Sequence, residues 1–211
     1  MNADVLKLRV RASHETYLHL LRDVTERPDV VAETVPEGVP STPEDLKPGV
    51  AQVVLDYPLT WALTQLEGLN SIDRARTLVV TQTHHPVYHD VLASAHVSGV
   101  TVGSDRRGVI AGLYAAATAQ RTSQYRSPLT MMELQVVRYL LLGQDTKGAA
   151  GALDVTFKTI NAHVSNVLGK LGLEGRSQLV ADLLGHGATM SSDAGRSRAI
   201  ARALRAAAIP A

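Results

Sequence analysis

"DVTFKTINAHVSNVLGKLG", Asp154–Gly172, decides how the C-terminal part of this chain is read. Ile160, Val164, Val167, Leu168 and Leu171 recur at the three- and four-residue spacing that lines one side of an α-helix. Thr156 stands where a hydroxyl can cap the first free amides, and Gly172 where the chain must leave the helix. The spacing therefore predicts a helix over Phe157–Leu171. Its opposite side carries Lys158, Asn161, Ala162, Ser165 and Gly169, all small, polar or basic. Such a face is commonly the solvated exterior of a small bundle. It also suits a DNA major groove: small side chains allow close approach, Asn161 can pair with adenine through both amide atoms, and Lys158 can meet a phosphate or guanine.

The sequence around this helix is helical as well. "TMME", Thr130–Glu133, is a capping box in which Thr130 accepts from first-turn amides and Glu133 reaches back to the cap amide. Val136, Val137, Leu140 and Leu141 follow as an apolar face, with Gly143 as the stop. Lys147–Leu153 reads as a short helix and Ser177–Leu184 as a fourth. Ahead of them, "QRTSQYRSP", 120–128, is polar, ends in proline and reads as a linker.

The front part alternates β-like and helical runs. Strands are expected at Val5–Val10, Val30–Val35, Ala51–Asp56, Thr77–Thr81 and Val100–Gly103. Helices are expected at His14–Glu26, Thr60–Leu69, Pro86–Val97 and Arg106–Arg121. "VPEGVPSTPEDLKPG", 35–49, is rich in proline and has room only for a short helix. Strands alternating with helices argue for a parallel sheet covered on both faces. "LKLRVR" resists that scheme, because Leu6, Leu8 and Val10 alternate with Lys7, Arg9 and Arg11. Either this strand is poorly covered, or its basic face meets a carboxylate-rich neighbour.

Composition narrows the classes further. There is no cysteine, which removes disulfides and thiolate metal sites and fits a reducing cytoplasm. No apolar run is long enough to span a bilayer, and "MNADVLKLRV" is not an export signal, so a cytoplasmic chain without a membrane partner is expected. Formal net charge is +1, but residues 1–126 carry twelve basic against fourteen acidic side chains, and 127–187 carry five of each. The tail from Ala188 holds Arg196, Arg198, Arg202 and Arg205 against Asp193 alone. Attraction to a polyanion must be local or assisted by that tail, which can form an alanine-rich helix.

Leu129–Val180 closely resembles the helix-turn-helix of the LuxR/FixJ family of bacterial transcription regulators, without a gap. The shared positions include Leu129, Thr130, Glu133, Gly143, Lys147, Ala150, Leu153, Val155, Thr156, Thr159, Ile160, His163, Asn166, Lys170, Leu171, Gly172, Arg176 and Leu179. The resemblance implies a four-helix domain whose third helix enters the major groove and whose last helix supports dimerisation. It also implies a DNA-binding set of Thr156, Lys158, Thr159, Asn161, Ala162, Ser165, Asn166 and Lys170, the last near the backbone. This chain departs from the pattern at Asn161, where many members carry lysine, which leaves fewer counterions to release and a shallow salt dependence. Gly148, Gly151 and the small Ala149 further loosen the supporting helix.

The order of elements in front resembles the receiver domain of two-component response regulators. In that family two acids after the first strand hold Mg²⁺, an aspartate ends the third strand, a hydroxyl ends the fourth and a lysine follows the fifth. Asp56 falls at the phosphoacceptor position and Thr81 at the hydroxyl position. The acids are replaced by Arg11, Ala12 and Ser13, and the lysine by Gly103 and Ser104. The resemblance therefore implies an atypical receiver that works without phosphotransfer. Asp56 then becomes a strand-end acid that caps the next turn or pairs with Arg11, Arg106 or Arg107.

His84, His85 and His89 gather near one helix start, but no cysteine and only Asp90 stand near, so a surface cluster is expected and a metal site is not. No Ser-His-acid set, phosphate loop or nucleotide fingerprint occurs, and neither an enzyme nor a cofactor is expected. The reading is a flavodoxin-like α/β receiver domain (1–119), a linker (120–128), an all-α LuxR-type helix-turn-helix domain (129–187) and a basic tail (188–211). The expected function is that of a sequence-specific regulator binding double-stranded DNA as a homodimer, with a small molecule or protein as the signal at the front domain. The alternative is a pseudo-receiver module that modulates another regulator with weak or no DNA binding.

Overall fold

The computed structural model describes residues 5–36, 49–122 and 124–185. The proline-rich connection (37–48) and the arginine-bearing tail lie outside the described residues. The chain forms two compact units, one of residues up to 84 together with 92–125, the other of 85–91 together with 126 onward.

The first elements in order are β1 (Leu6–Arg11), a 3-10 helix (Glu15–Leu21) running into α1 (Arg22–Thr25), β2 (Val30–Thr34) and β3 (Val50–Asp56). Then come α2 (Trp61–Glu67), α3 (Ser71–Ala75), β4 (Thr77–Thr81), α4 (Pro86–Ala93), β5 (Gly99–Val102) and α5 (Arg106–Ala117). The five strands make one parallel sheet in the order β2-β1-β3-β4-β5. This is the flavodoxin-like order, whose direction of winding reverses between β1 and β3. All seven residues of β3 and all five of β4 are buried, as central parallel strands require. Leu8, Val53, Leu55, Leu78, Val80 and Leu113 form the core of this unit.

β1 alternates because its outer neighbour β2 is an edge strand, buried only at Val30. Of the two explanations for its basic face, a carboxylate neighbour holds for Arg9. Arg9 Nε donates to Glu33 Oε1 at 2.7 Å, and Glu33 is its register partner on β2. The helices depart more from expectation. His14–Glu26 is mostly a 3-10 helix, α4 and α5 stop four residues early, and α3 is additional. Asn70 starts α3 by accepting from the Asp73 amide at 2.9 Å, but five residues are too few to show a period.

The second unit contains α6 (Met131–Leu141), α7 (Thr146–Ala152), α8 (Phe157–Leu171) and α9 (Arg176–Leu183). The capping box at α6 is closed in both directions, Thr130 N to Glu133 Oε2 at 2.7 Å and Glu133 N to Thr130 Oγ1 at 3.4 Å. Gly143 (φ +77°) and Gly172 (φ +68°) take the left-handed conformation that ends α6 and α8, a conformation that costs other residues energy. Asp145 caps α7 through the Gly148 amide at 2.7 Å, so that helix starts one residue before the expected Lys147. Val136, Ala149, Ala150, Ile160 and Val164 form the buried centre, and Ala149 is small enough to let α7 approach α6 and α8 closely. Burying one side chain of the size of Ile160 contributes roughly 1.5–3 kcal/mol, so this stripe holds α8 in place.

Gly151 lies in α7 with open space where a Cβ would stand. Gly151→Ala is expected to raise the stability of the C-terminal unit by about 0.5–1 kcal/mol through helix propensity alone. Thermal unfolding checks this, and a lowered Tm would mean that the glycine is needed for more than backbone freedom.

Candidate nucleic-acid interface and the degenerate acceptor position

Helix α8 spans Phe157–Leu171, as its spacing predicts. Thr156 Oγ1 accepts from the Thr159 amide at 3.1 Å and also meets the Thr159 hydroxyl at 2.8 Å, so both threonines are engaged in holding the first turn. Ile160, Val164 and Val167 face inward, while Lys158, Ala162, Ser165, Asn166 and Gly169 are exposed. Asn161, Thr159 and His163 are half-buried at the margins of that face. Phe157, not among the expected contacts, is 58% exposed at the start of the helix. Its spacing gave no such signal, since it stands three residues before Ile160 and seven before Val164, in phase with the apolar stripe.

Two cations near this face are already engaged. Lys170 Nζ lies 2.6 Å from Glu133 Oε2, the oxygen that also caps α6. Burial pushes the Glu133 carboxyl upward, but the hydrogen bonds from Lys170 and Thr130 outweigh it and hold the group below the usual carboxylate range. Arg176, at the start of α9, donates from Nη1 to Thr146 Oγ1 at 2.6 Å and from Nη2 to Asn161 Oδ1 at 2.9 Å. One guanidinium thus ties α7, α8 and α9 together. The Asn161 oxygen it occupies is one of the two atoms a bidentate adenine contact would use.

In the front unit, Asp56 ends β3 beside the point where the winding of the sheet reverses, which is where ligands bind in open α/β sheets. Here the position is closed. Asp56 is 0% exposed; Oδ1 accepts from the Ala62 amide in the first turn of α2 at 3.0 Å, and Oδ2 accepts from Thr81 Oγ1 at 3.1 Å. The Ser13 hydroxyl donates to the Tyr57 carbonyl, and burial followed by the Asp56 carboxylate pushes the Tyr57 phenol up. Arg11 is buried at the end of β1, on the same edge of the sheet. Arg106 points elsewhere, 3.6 Å from Asp23 on the surface, and Arg107 is exposed. A receiver's Mg²⁺ does not fit this donor set. Among the described residues only one carboxylate stands at this strand end, both its oxygens already accept hydrogen bonds, and a buried arginine stands where the receiver pattern has acids.

Residues 127–182 match the family described as bacterial regulatory proteins, luxR family. Spore germination protein GerE of Bacillus subtilis (strain 168) is 38% identical over 65 residues, which are 31% of this chain and 88% of GerE. The chain belongs to the LuxR family of bacterial regulatory proteins. It is a DNA-binding transcription regulator of that family. A structure of two RcsB dimers bound to two parallel DNAs is 17% identical, with a TM-score of 0.51 over 86% of this chain and 97% of that one. An RcsB response regulator of Salmonella typhimurium is 16% identical over 87% of this chain and 98% of that one, with a TM-score of 0.46. The former likeness gives the fold, a receiver-like α/β unit followed by the LuxR helix-turn-helix.

His84 is exposed and His85 and His89 half-buried, and among the described residues no three His, Cys, Asp or Glu converge as a metal site. No helix among them is long and apolar enough to cross a membrane.

The folded Glu133 carboxyl is held below its ordinary value of 4.5, so its contribution is complete above that pH and is lost as the pH falls toward the folded value. Glu133→Gln is expected to cost about 1–2 kcal/mol at neutral pH by losing a charge-assisted cap. It also flattens the acid limb of a Tm-against-pH curve. A variant retaining the full acid dependence would show that other groups cause it.

Proposed function

We propose that this LuxR-family protein binds a specific duplex sequence by laying the outer face of α8 in the major groove. Thr156, Lys158, Thr159, Asn161, Ala162, Ser165 and Asn166 form the contact set, and Lys170 serves mainly by holding α8 to Glu133. The observation that carries this is the exposure of Lys158, Ala162 and Ser165 on a helix whose other side is sealed in the core. Small side chains there leave room for base edges, and Lys158 supplies the local positive charge. The protein acts as a homodimer on paired half-sites, a reading supported by the RcsB dimers bound to DNA in the similar structure. It works in the cytoplasm.

The front unit acts without phosphotransfer. Asp56 serves as the cap of α2 and the partner of Thr81, and a phosphoryl donor would have to displace both bonds to reach it. The unit instead controls dimerisation, or responds to a small molecule or a protein. The domain limits fitting this reading are 1–119, a linker of 120–128, a DNA-binding domain of 129–187 and an accessory basic tail of 188–211. A second reading, a pseudo-receiver module that modulates another regulator, is favoured by one feature. Residues 127–187 carry five basic and five acidic side chains, an unusually neutral balance for a DNA-binding domain.

Selection of bound sequences from random duplex DNA separates the two. Enrichment of a short palindrome, abolished by Lys158→Ala combined with Asn161→Ala, supports the regulator; no enrichment at low salt overturns it. Asp56→Asn keeps one acceptor for the Ala62 amide and turns the other position into an NH2 donor that the Thr81 hydroxyl can rotate to accept, and is expected to leave affinity for the selected duplex within about twofold. A loss beyond tenfold, about 1.4 kcal/mol, would show that the charge at Asp56 matters for DNA binding.

A further inference from the structure

We infer that Arg176 is a positioning residue that biases Asn161 toward donating hydrogen bonds, so that Asn161 favours guanine. This rests on the proposed contact of α8 with the major groove.

The reasoning starts from which atom of the amide Arg176 touches. A guanidinium has donors only, so the Asn161 atom 2.9 Å from Nη2 must be the carbonyl oxygen, and the orientation of the amide follows from chemistry. Arg176 is itself fixed, because Nη1 donates at 2.6 Å to Thr146 Oγ1, and Thr146 is a buried residue at the start of α7. Both residues are half-buried, which strengthens the pairing relative to a fully solvated one. Among the described residues none accepts a hydrogen bond from Asn161 Nδ2, which leaves that group open to a ligand. A free asparagine can pair with adenine, accepting from N6 and donating to N7. Here Arg176 takes one of the two lone pairs of that oxygen, while both Nδ2 hydrogens remain, so the balance of the amide shifts toward donating.

The bases differ sharply toward such a group. In the major groove guanine shows two adjacent acceptors, N7 and O6, whereas adenine and cytosine each place an amino donor there. The guanidinium behind the amide polarises it, making Nδ2 a better donor and opposing base amino groups. Guanine is therefore the favoured partner. Asn161 with Arg176 behind it forms a composite donor whose charge is set back from the DNA.

The experiment uses the full chain and its selected duplex. Wild type should prefer guanine at one position of each half-site, and 7-deazaguanine there should weaken binding about three- to tenfold, the effect of losing one acceptor. Asn161→Ala should abolish both the preference and the sensitivity to 7-deazaguanine. Arg176→Met frees the amide and should shift the preference toward adenine; a purely structural arginine would lower affinity for all sequences alike and leave the profile unchanged. If Arg176→Met does not fold by circular dichroism, Asn161→Asp gives the same answer. It keeps an oxygen on Arg176 but presents only acceptors, so the preference should move to cytosine or adenine. A wild-type preference for adenine, or an Asn161→Asp profile that still favours guanine, overturns the inference. Absence of any enriched sequence counts against DNA binding itself, not against this pairing.

Discussion

Glu133 Oε2 accepts from the Thr130 amide and from Lys170 Nζ, at 2.7 and 2.6 Å, and the geometry of the C-terminal unit depends on this shared oxygen. The first bond satisfies an amide that opens α6; the second ties the last turn of α8 to the same point. Removing water from a carboxylate is costly, and here two donors compensate for it. The consequence for function is that Lys170, a cation on the helix that looks outward, spends its charge inside the domain. Arg176 does the same at the other end of the face, on Thr146 and Asn161. A helix that recognises DNA needs a fixed orientation before it needs charge, since a misplaced side chain cannot reach a base edge. This protein uses two of its few cations for that purpose.

In the front unit the acid that ends β3 has a structural role. Asp56 and Thr81 lie opposite each other on adjacent strands, register partners in the sheet. Arg11 ends β1 as a buried cation, and Gly103 and Ser104 follow β5. Asp56 is a strand-end acid whose oxygens satisfy a helix amide and a hydroxyl, bonds that would be expensive to leave unmade in a buried place. The capping role foreseen for Asp56 is the one it fills, whereas the surface pairing of Arg106 with Asp23 removes that arginine as its counter-charge.

Much of the fold could be read from local patterns. The strands β1 to β5 lie within one residue of their expected limits because apolar runs bounded by turns report burial directly. Helix α8 was legible in full because cap, stripe and terminating glycine agree. What escaped the sequence was either too short or too distant. Helix α3 has a single turn and no period, and the 3-10 winding of Glu15–Leu21 leaves the same apolar spacing as an α-helix would over so few residues. The links of Glu133 to Lys170 and of Arg176 to Asn161 join residues 37 and 15 positions apart, and only the folded chain brings them together. In the sequence the partners of each pair stand as separate positions, and no local pattern links them.

Because the chain has no cysteine, the central claim that the outer face of α8 meets DNA can be tested by introducing one thiol at a time. Ala162→Cys places it in the middle of the exposed face, and Ile72→Cys, at a position 67% exposed in the front unit, serves as the control. The measurement is the rate of thiol alkylation with and without a saturating selected duplex. The account predicts that DNA slows alkylation at Ala162→Cys at least tenfold, roughly as burial under a close interface requires, and leaves Ile72→Cys unchanged. Equal rates at Ala162→Cys, with the DNA shown to be bound, would contradict it.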